Sequence, residues 1–239
     1  MTWFLGWLWW LVFPVRKELA VRNFATAFPD ENPSKLRRSV GVVVWSYFEL
    51  LARRRAKVQG VEFLKGGTIA LGGHASSWDI TLLSLACHVP VTIFVKPPSN
   101  PFAAWVIAAL RGQEDLELLA PTGSMSDAYE ALERGRMVMF VQDQRYNQGI
   151  PVDFLGRPAL TSAGFASMVW RTKAPVVGVW QRKEGGEHHV SVSSLDIEIP
   201  EDRDAAILAL TQESQRFYAD RIKENPPNWW WLHDRWRDG

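Results

Sequence analysis

Thr68-Ile69-Ala70-Leu71-Gly72-Gly73-His74-Ala75-Ser76-Ser77-Trp78-Asp79 joins a short apolar run to two glycines, a polar turn and the start of an apolar helical pattern, Ile80–Ala86. Strand, tight turn, helix is the local order in which an α/β sheet places reactive side chains, at the carboxyl ends of its strands. The same alternation continues downstream. Val89–Val95 reads as a strand, Phe102–Leu110 as a helix, Leu116–Leu119 as a short strand and Ser124–Glu133 as a helix. Met137–Val141 is an apolar strand bounded by Gly135 and Asp143, and Ser162–Arg171 a helix. Pro175–Trp180 is a buried strand, His189–Ile199 an alternating one, and Glu201–Glu224 a closing amphipathic helix. Continuous apolar strands alternating with helices predict an α/β fold, a mostly parallel sheet flanked by helices. Upstream, residues 1–57 read as helical, with Ser34 placed to cap a helix through Val40–Leu51. The expected organisation is an N-terminal helical segment, 1–57, and an α/β domain, 58–239, with no internal repeat or Gly/Ser linker.

Composition sets the class of protein. A chain of 239 residues, 47% hydrophobic and 22% charged, suits one sizeable globular domain with a short appendage. A formal charge of +1 argues against a protein built to coat nucleic acid. One cysteine, Cys87, excludes an internal disulfide framework and fits a reducing compartment. The 13 tryptophans are unusual, above all in their placement. Trp3, Trp7, Trp9 and Trp10 open the chain; Trp229, Trp230, Trp231 and Trp236 close it. Tryptophan favours membrane–water interfaces, and the alternative is an ordinary core or contact aromatic.

Met1–Phe13 carries no charged side chain, and Arg16, Lys17 and Arg22 follow Pro14. Thirteen helical residues span roughly 20 Å, short of the ~30 Å hydrocarbon core. A secretory signal would carry its charges before the apolar run. The segment therefore reads as an interfacial anchor, or as the end of a spanning helix, with the remaining chain on the cytoplasmic side. Arg53, Arg54, Arg55 and Lys57 either complement a helix C-terminus or meet anionic headgroups or an acidic carrier protein.

His74 and Asp79 are the leading candidates for chemistry. Five positions turn through about 500° on a helix, so the two cooperate only if His74 lies in the turn and Asp79 in the first helical turn. The carboxylate would then hold one imidazole nitrogen and leave the other as a base. A histidine beside a carboxylate is also a common structural pair. No G-x-S-x-G elbow, Walker loop or dinucleotide fingerprint is present, and His88, His188, His189 and His233 show no metal-ligand spacing with Cys87.

Several further blocks extend the pattern. Arg22-Asn23-Phe24-Ala25-Thr26-Ala27-Phe28-Pro29 precedes it; Val141-Gln142-Asp143-Gln144, Phe154-Leu155-Gly156-Arg157-Pro158-Ala159 with Thr161 and Gly164, and Trp231-Leu232-His233-Asp234-Arg235-Trp236 follow it. In this order, over about residues 16 to 237, the chain resembles the bacterial lipid A late acyltransferases, the lauroyl/myristoyl type. It departs from that pattern in Asp79, usually Glu, in the Ala-Ser-Ser-Trp loop, and in a shorter apolar N-terminus.

The resemblance implies a glycerolipid-acyltransferase-like fold and an inner-membrane enzyme with its catalytic domain on the cytoplasmic side. It also implies O-acyl transfer from a thioester of acyl carrier protein or coenzyme A to a hydroxyl of a lipid A precursor, with no cofactor or metal. His74 would be the base, Asp79 its orienting acid and Arg111 a catalytic contact to acceptor phosphate or oxyanion. Asp143 and Gln144 should share the sheet edge of His74. Lys96, Asn100, Gly156, Arg157 and Thr161 complete the expected substrate-binding set. Another glycolipid, lysophospholipid or lipoamino acid acceptor stays open, as do a thioesterase and a catalytically silent membrane module.

Overall fold

In a computed structural model, residues 1–96, 115–121 and 124–236 are described. A seven-stranded sheet runs in the order β1-β9-β8-β2-β5-β3-β4. Its strands are β1 (Lys57–Gln59), β2 (Ile69–Leu71), β3 (Val91–Phe94), β4 (Leu116–Leu119), β5 (Met137–Phe140), β8 (Val176–Glu184) and β9 (Glu187–Leu195). All neighbours are parallel except the β8–β9 hairpin. Gly185 and Gly186, at φ 57° and 85°, make that hairpin's two-residue turn. A second hairpin, β6 (Ile150–Phe154) with β7 (Arg157–Thr161), stands apart from the sheet. It turns on Leu155 and Gly156, both at positive φ, so the Phe154–Ala159 motif is a hairpin tip.

Side chains alternate across the sheet with period two. Ile69, Leu71, Val138 and Phe140 enter one core, while Ala70, Met137 and Met139 enter the core on the opposite face. Helix α4 (Trp78–Ala86) covers the second face through Leu82 and Leu85. Helix α5 (Met125–Glu133), helix α6 (Gly164–Thr172) and helix α7 (Arg203–Glu224) contribute to the first core. Asp202 caps α7, its carboxylate accepting from the Ala205 N–H at 2.8 Å.

Three helices precede the sheet: α1 (Thr2–Leu11), α2 (Lys17–Ala27) and α3 (Leu36–Leu51). The cap before α3 is Asn32, which accepts from the Ser34 N–H at 2.9 Å and starts a 3-10 turn at Pro33; Ser34, the expected cap, is the residue held. Helices α1 and α3 meet at glycines. A Cβ on Gly6 would lie 1.9 Å from the Arg37 carbonyl oxygen, and one on Gly41 1.9 Å from that of Thr2. Arg37 also lies over the Trp7 ring, 4.0 Å from its centroid. These helices share the first core, to which Trp9, Phe24, Leu36 and Val40 belong.

The two tryptophan clusters separate. Trp229, Trp231 and Trp236 are buried in the same core, so the interfacial alternative does not describe them. On α1 and the segment after it, Trp3, Phe4, Leu11, Val12 and Phe13 are exposed, and Phe48 and Leu51 of α3 are exposed too. Among the described residues, no helix is long and apolar enough to cross a membrane.

Candidate active site

The carboxyl ends of β2 and β5 lie side by side, Leu71 opposite Phe140. Parallel pairing therefore brings the segment after β2, Gly72–Ser77, beside the segment after β5, which contains Asp143. The Asp143 carboxylate accepts from the His74 N–H at 2.7 Å and lies 2.8 Å from His74 Nδ1. A third donor is the Trp229 indole N–H, 2.7 Å from Oδ2. Asp143 is fully buried. Burial pushes its carboxyl up, but the His74 charge and the donors from His74 and Trp229 prevail and hold it below the usual range.

The partner expected for His74 from the sequence is Asp79, and the structure brings a second carboxylate, Asp143, to the ring. Asp79 sits in the first turn of α4, buried and lining the same cavity as His74, yet the carboxylate on Nδ1 is that of Asp143. The reason is local geometry: Nδ1 is the ring nitrogen nearer the backbone, so the carboxylate that receives the His74 amide reaches Nδ1 as well. An ionised carboxylate only accepts, so Nδ1 carries a hydrogen, and the neutral ring in this tautomer has its lone pair on Nε2.

The His74 turn is braced from both sides. Gln181 Nε2 donates to the Gly73 carbonyl at 2.7 Å and to the Ala75 carbonyl at 2.6 Å. Tyr218 donates to the Gly72 carbonyl at 3.0 Å. The segment after α7 completes the frame: Trp230 N–H donates to the His74 carbonyl and Ser76 N–H to that of Asn228. Gly73 is required by close packing, since a Cβ there would lie 2.6 Å from the Trp180 ring and 3.3 Å from Asp143 Oδ2.

His74 opens onto a cavity of about 480 Å³. Leu82, Ile93, Met139 and Phe140 give it an apolar floor, and His74, Asp79, Gln144 and Arg145 give it polar walls. Lys96 lines it too and is exposed, while Asn100 and Arg111 lie outside the described residues. Asp143 and Gln144 follow β5 at the same sheet edge as His74. Gly156, Arg157 and Thr161 are not among the lining residues of this cavity. Gly156 occupies the hairpin tip, Arg157 lies 5.0 Å from the Trp236 ring centroid, and Thr161 is buried, receiving Arg235 at 2.6 Å. Cys87 follows the last residue of α4, at the end of the helix opposite the His74 turn. Among the described residues, no group of three or more His, Cys, Asp or Glu side chains is placed to hold a metal ion.

Sequence reading missed Gln181, Trp229 and His233 as parts of the site. His233 Nε2 accepts from the Arg145 N–H at 2.9 Å, so the terminal motif holds the strand-end motif. Burial pushes His233 down to about 4, keeping it a neutral acceptor. Arg235 is fully buried and bonds Leu160, Thr161 and Gln215; burial pushes it down to about 10. The ordered motifs hinted at these contacts, because Asn23 of the first block donates to the His233 carbonyl of the last at 3.3 Å.

No curated protein matches the sequence. Among solved structures, the chain is similar to the 1-acyl-sn-glycerophosphate (LPA) acyltransferase PlsC from Thermotoga maritima. The two are 14% identical at a TM-score of 0.41, with 99% of this chain and 97% of that one covered. The sequence model of the bacterial lipid A biosynthesis acyltransferases matches residues 3–238 of this chain, which therefore belongs to that family and is an acyltransferase.

Proposed function

We propose that this acyltransferase moves a long-chain fatty acyl group from an acyl thioester, that of acyl carrier protein by preference, to a hydroxyl of a lipid A precursor. The observation that carries the reading is His74 itself, its Nδ1 held 2.8 Å from a buried carboxylate and its ring lining an apolar-floored cavity. Nε2 takes the hydroxyl proton as the oxygen attacks the thioester carbonyl carbon. The C–O bond forms, the C–S bond breaks, and the proton passes to the departing thiolate. Asp143 stabilises the imidazolium, an arrangement worth about 10²–10⁴-fold as general-base catalysis. Because the thioester is already activated, no acyl-enzyme is required. Lys96 on the cavity wall, together with Arg111 and Asn100, is assigned to the acceptor headgroup and the developing oxyanion.

The exposed apolar side chains of α1 and α3 and the cations that follow them support attachment to the cytoplasmic face of the inner membrane. The test is a membrane-fraction assay with labelled acyl carrier thioester and a tetra-acylated lipid A precursor. Wild type should label the lipid and His74→Ala should not. Labelling of another lipid in a total extract would replace the acceptor, and transfer by His74→Ala would remove the base.

A further inference from the structure

Trp229 is 2% exposed and locked by aromatic contacts to Trp231, at 4.8 Å between centroids, and Phe154, at 5.5 Å. Trp231 is equally buried, but its indole N–H goes to the Pro226 carbonyl at 2.7 Å. That of Trp229 goes to Asp143 Oδ2 instead, the oxygen that also receives the His74 amide. A buried carboxylate needs its lone pairs met by donors, and it turns toward them. With Oδ2 fixed by two N–H groups, Oδ1 is left facing Nδ1.

We propose that Trp229 is a positioning residue of the acyl transfer: its indole N–H fixes the Asp143 carboxylate so that Oδ1 serves His74. The terminal segment thereby sets both the orientation and the charge sharing of the base pair. This rests on His74 acting as the base, so His74→Ala accompanies every measurement. Trp229→Phe keeps an aromatic ring and deletes the donor, while Trp231→Phe makes the same change one indole away.

The full chain is assayed with labelled acyl carrier thioester and the lipid A precursor across pH. The low-field imidazole proton on Nδ1, assigned by its loss in His74→Gln, is followed by NMR in detergent. Trp229→Phe should lower kcat roughly 10- to 100-fold with KM within about twofold. The acid limb of kcat/KM, which reports the pair as a unit, should move to higher pH, because an Asp143 carboxylate that shares less charge holds the pair's proton more tightly. The imidazole proton should shift as well, and Trp231→Phe should change neither the limb nor the resonance.

An unmoved limb and resonance in Trp229→Phe, or equal movement in Trp231→Phe, would overturn the assignment and leave only a packing role. The NMR arm needs no acceptor, so it decides even if the lipid is wrong. Activity in His74→Ala would sink the base reading instead. Should Trp229→Phe not fold, the wild-type indole protons decide. One of them must titrate together with the imidazole proton, and a set that ignores it refutes the proposal.

Discussion

At the scale of single residues, Asp143 and His233 carry opposite electrostatic tasks within one buried cluster. Under the proposed mechanism Asp143 must stay charged, and Asp143→Asn should lower kcat about 10²–10⁴-fold while leaving the cavity walls in place. His233 must stay neutral to accept from Arg145. Its folded value of about 4 lies below the ordinary 6.5, so the unfolded chain binds a proton that the folded one does not. That stability is complete above the ordinary histidine value and is lost as pH falls toward the folded one, on the order of 3 kcal/mol at most. His233→Gln keeps an acceptor and removes the titration. Denaturant unfolding between pH 7 and 4 should therefore fall more steeply for wild type than for the variant. Parallel curves would show that another group dominates. The roles of the two residues could not be told from their type, since a strand-ending Asp and a terminal His occur as easily in turns.

At the scale of elements, the closest approaches are made through glycine. Gly73 lets the His74 turn lie against Trp180, and Gly6 and Gly41 let α1 and α3 touch backbone to backbone. Gly41→Ala places a methyl against a main-chain oxygen with no flexible side chain to give way, so α1 must lift. We expect a loss of about 1–3 kcal/mol and faster proteolytic cleavage within residues 1–35, read by limited digestion. A cleavage rate equal to wild type would mean that α1 packs elsewhere. Strand and helix positions were largely legible from periodicity, β4 to the residue. The β6–β7 hairpin was not: Leu155-Gly156 is a weaker turn signal than Asn-Gly, and the hairpin lies outside the sheet whose rhythm guided the reading.

At the scale of the whole molecule, both chain ends close on the sheet. Helix α2 meets the terminal segment through Phe24 and Trp231, 5.2 Å apart, while Trp229 and Trp230 reach the His74 turn. Removing residues 228–239 should therefore abolish transfer and expose the aromatic core, visible as lost near-UV circular dichroism. A truncated chain with wild-type activity would contradict the frame. The outward side chains of α1 and the segment after it are apolar. Replacing Trp3, Phe4 and Phe13 by Asp should cut flotation with anionic vesicles roughly tenfold or more, with little change in thermal unfolding, because these side chains are already exposed.

The order of apolar runs, Gly72-Gly73 and the polar turn after β2 determined the alternation of strands and helices and the place of His74 at the carboxyl end of a strand. Those are local matters of periodicity, turn chemistry and strand direction. Only the tertiary structure decided which carboxylate meets the imidazole, because β5 is adjacent to β2 in space though 69 residues separate His74 from Asp143 in sequence. It likewise decided that Trp229, Trp231 and Trp236 belong to the core and that Trp229 holds that carboxylate. An indole suits a membrane interface and a buried donor site equally well, and the partner it finds is fixed by packing.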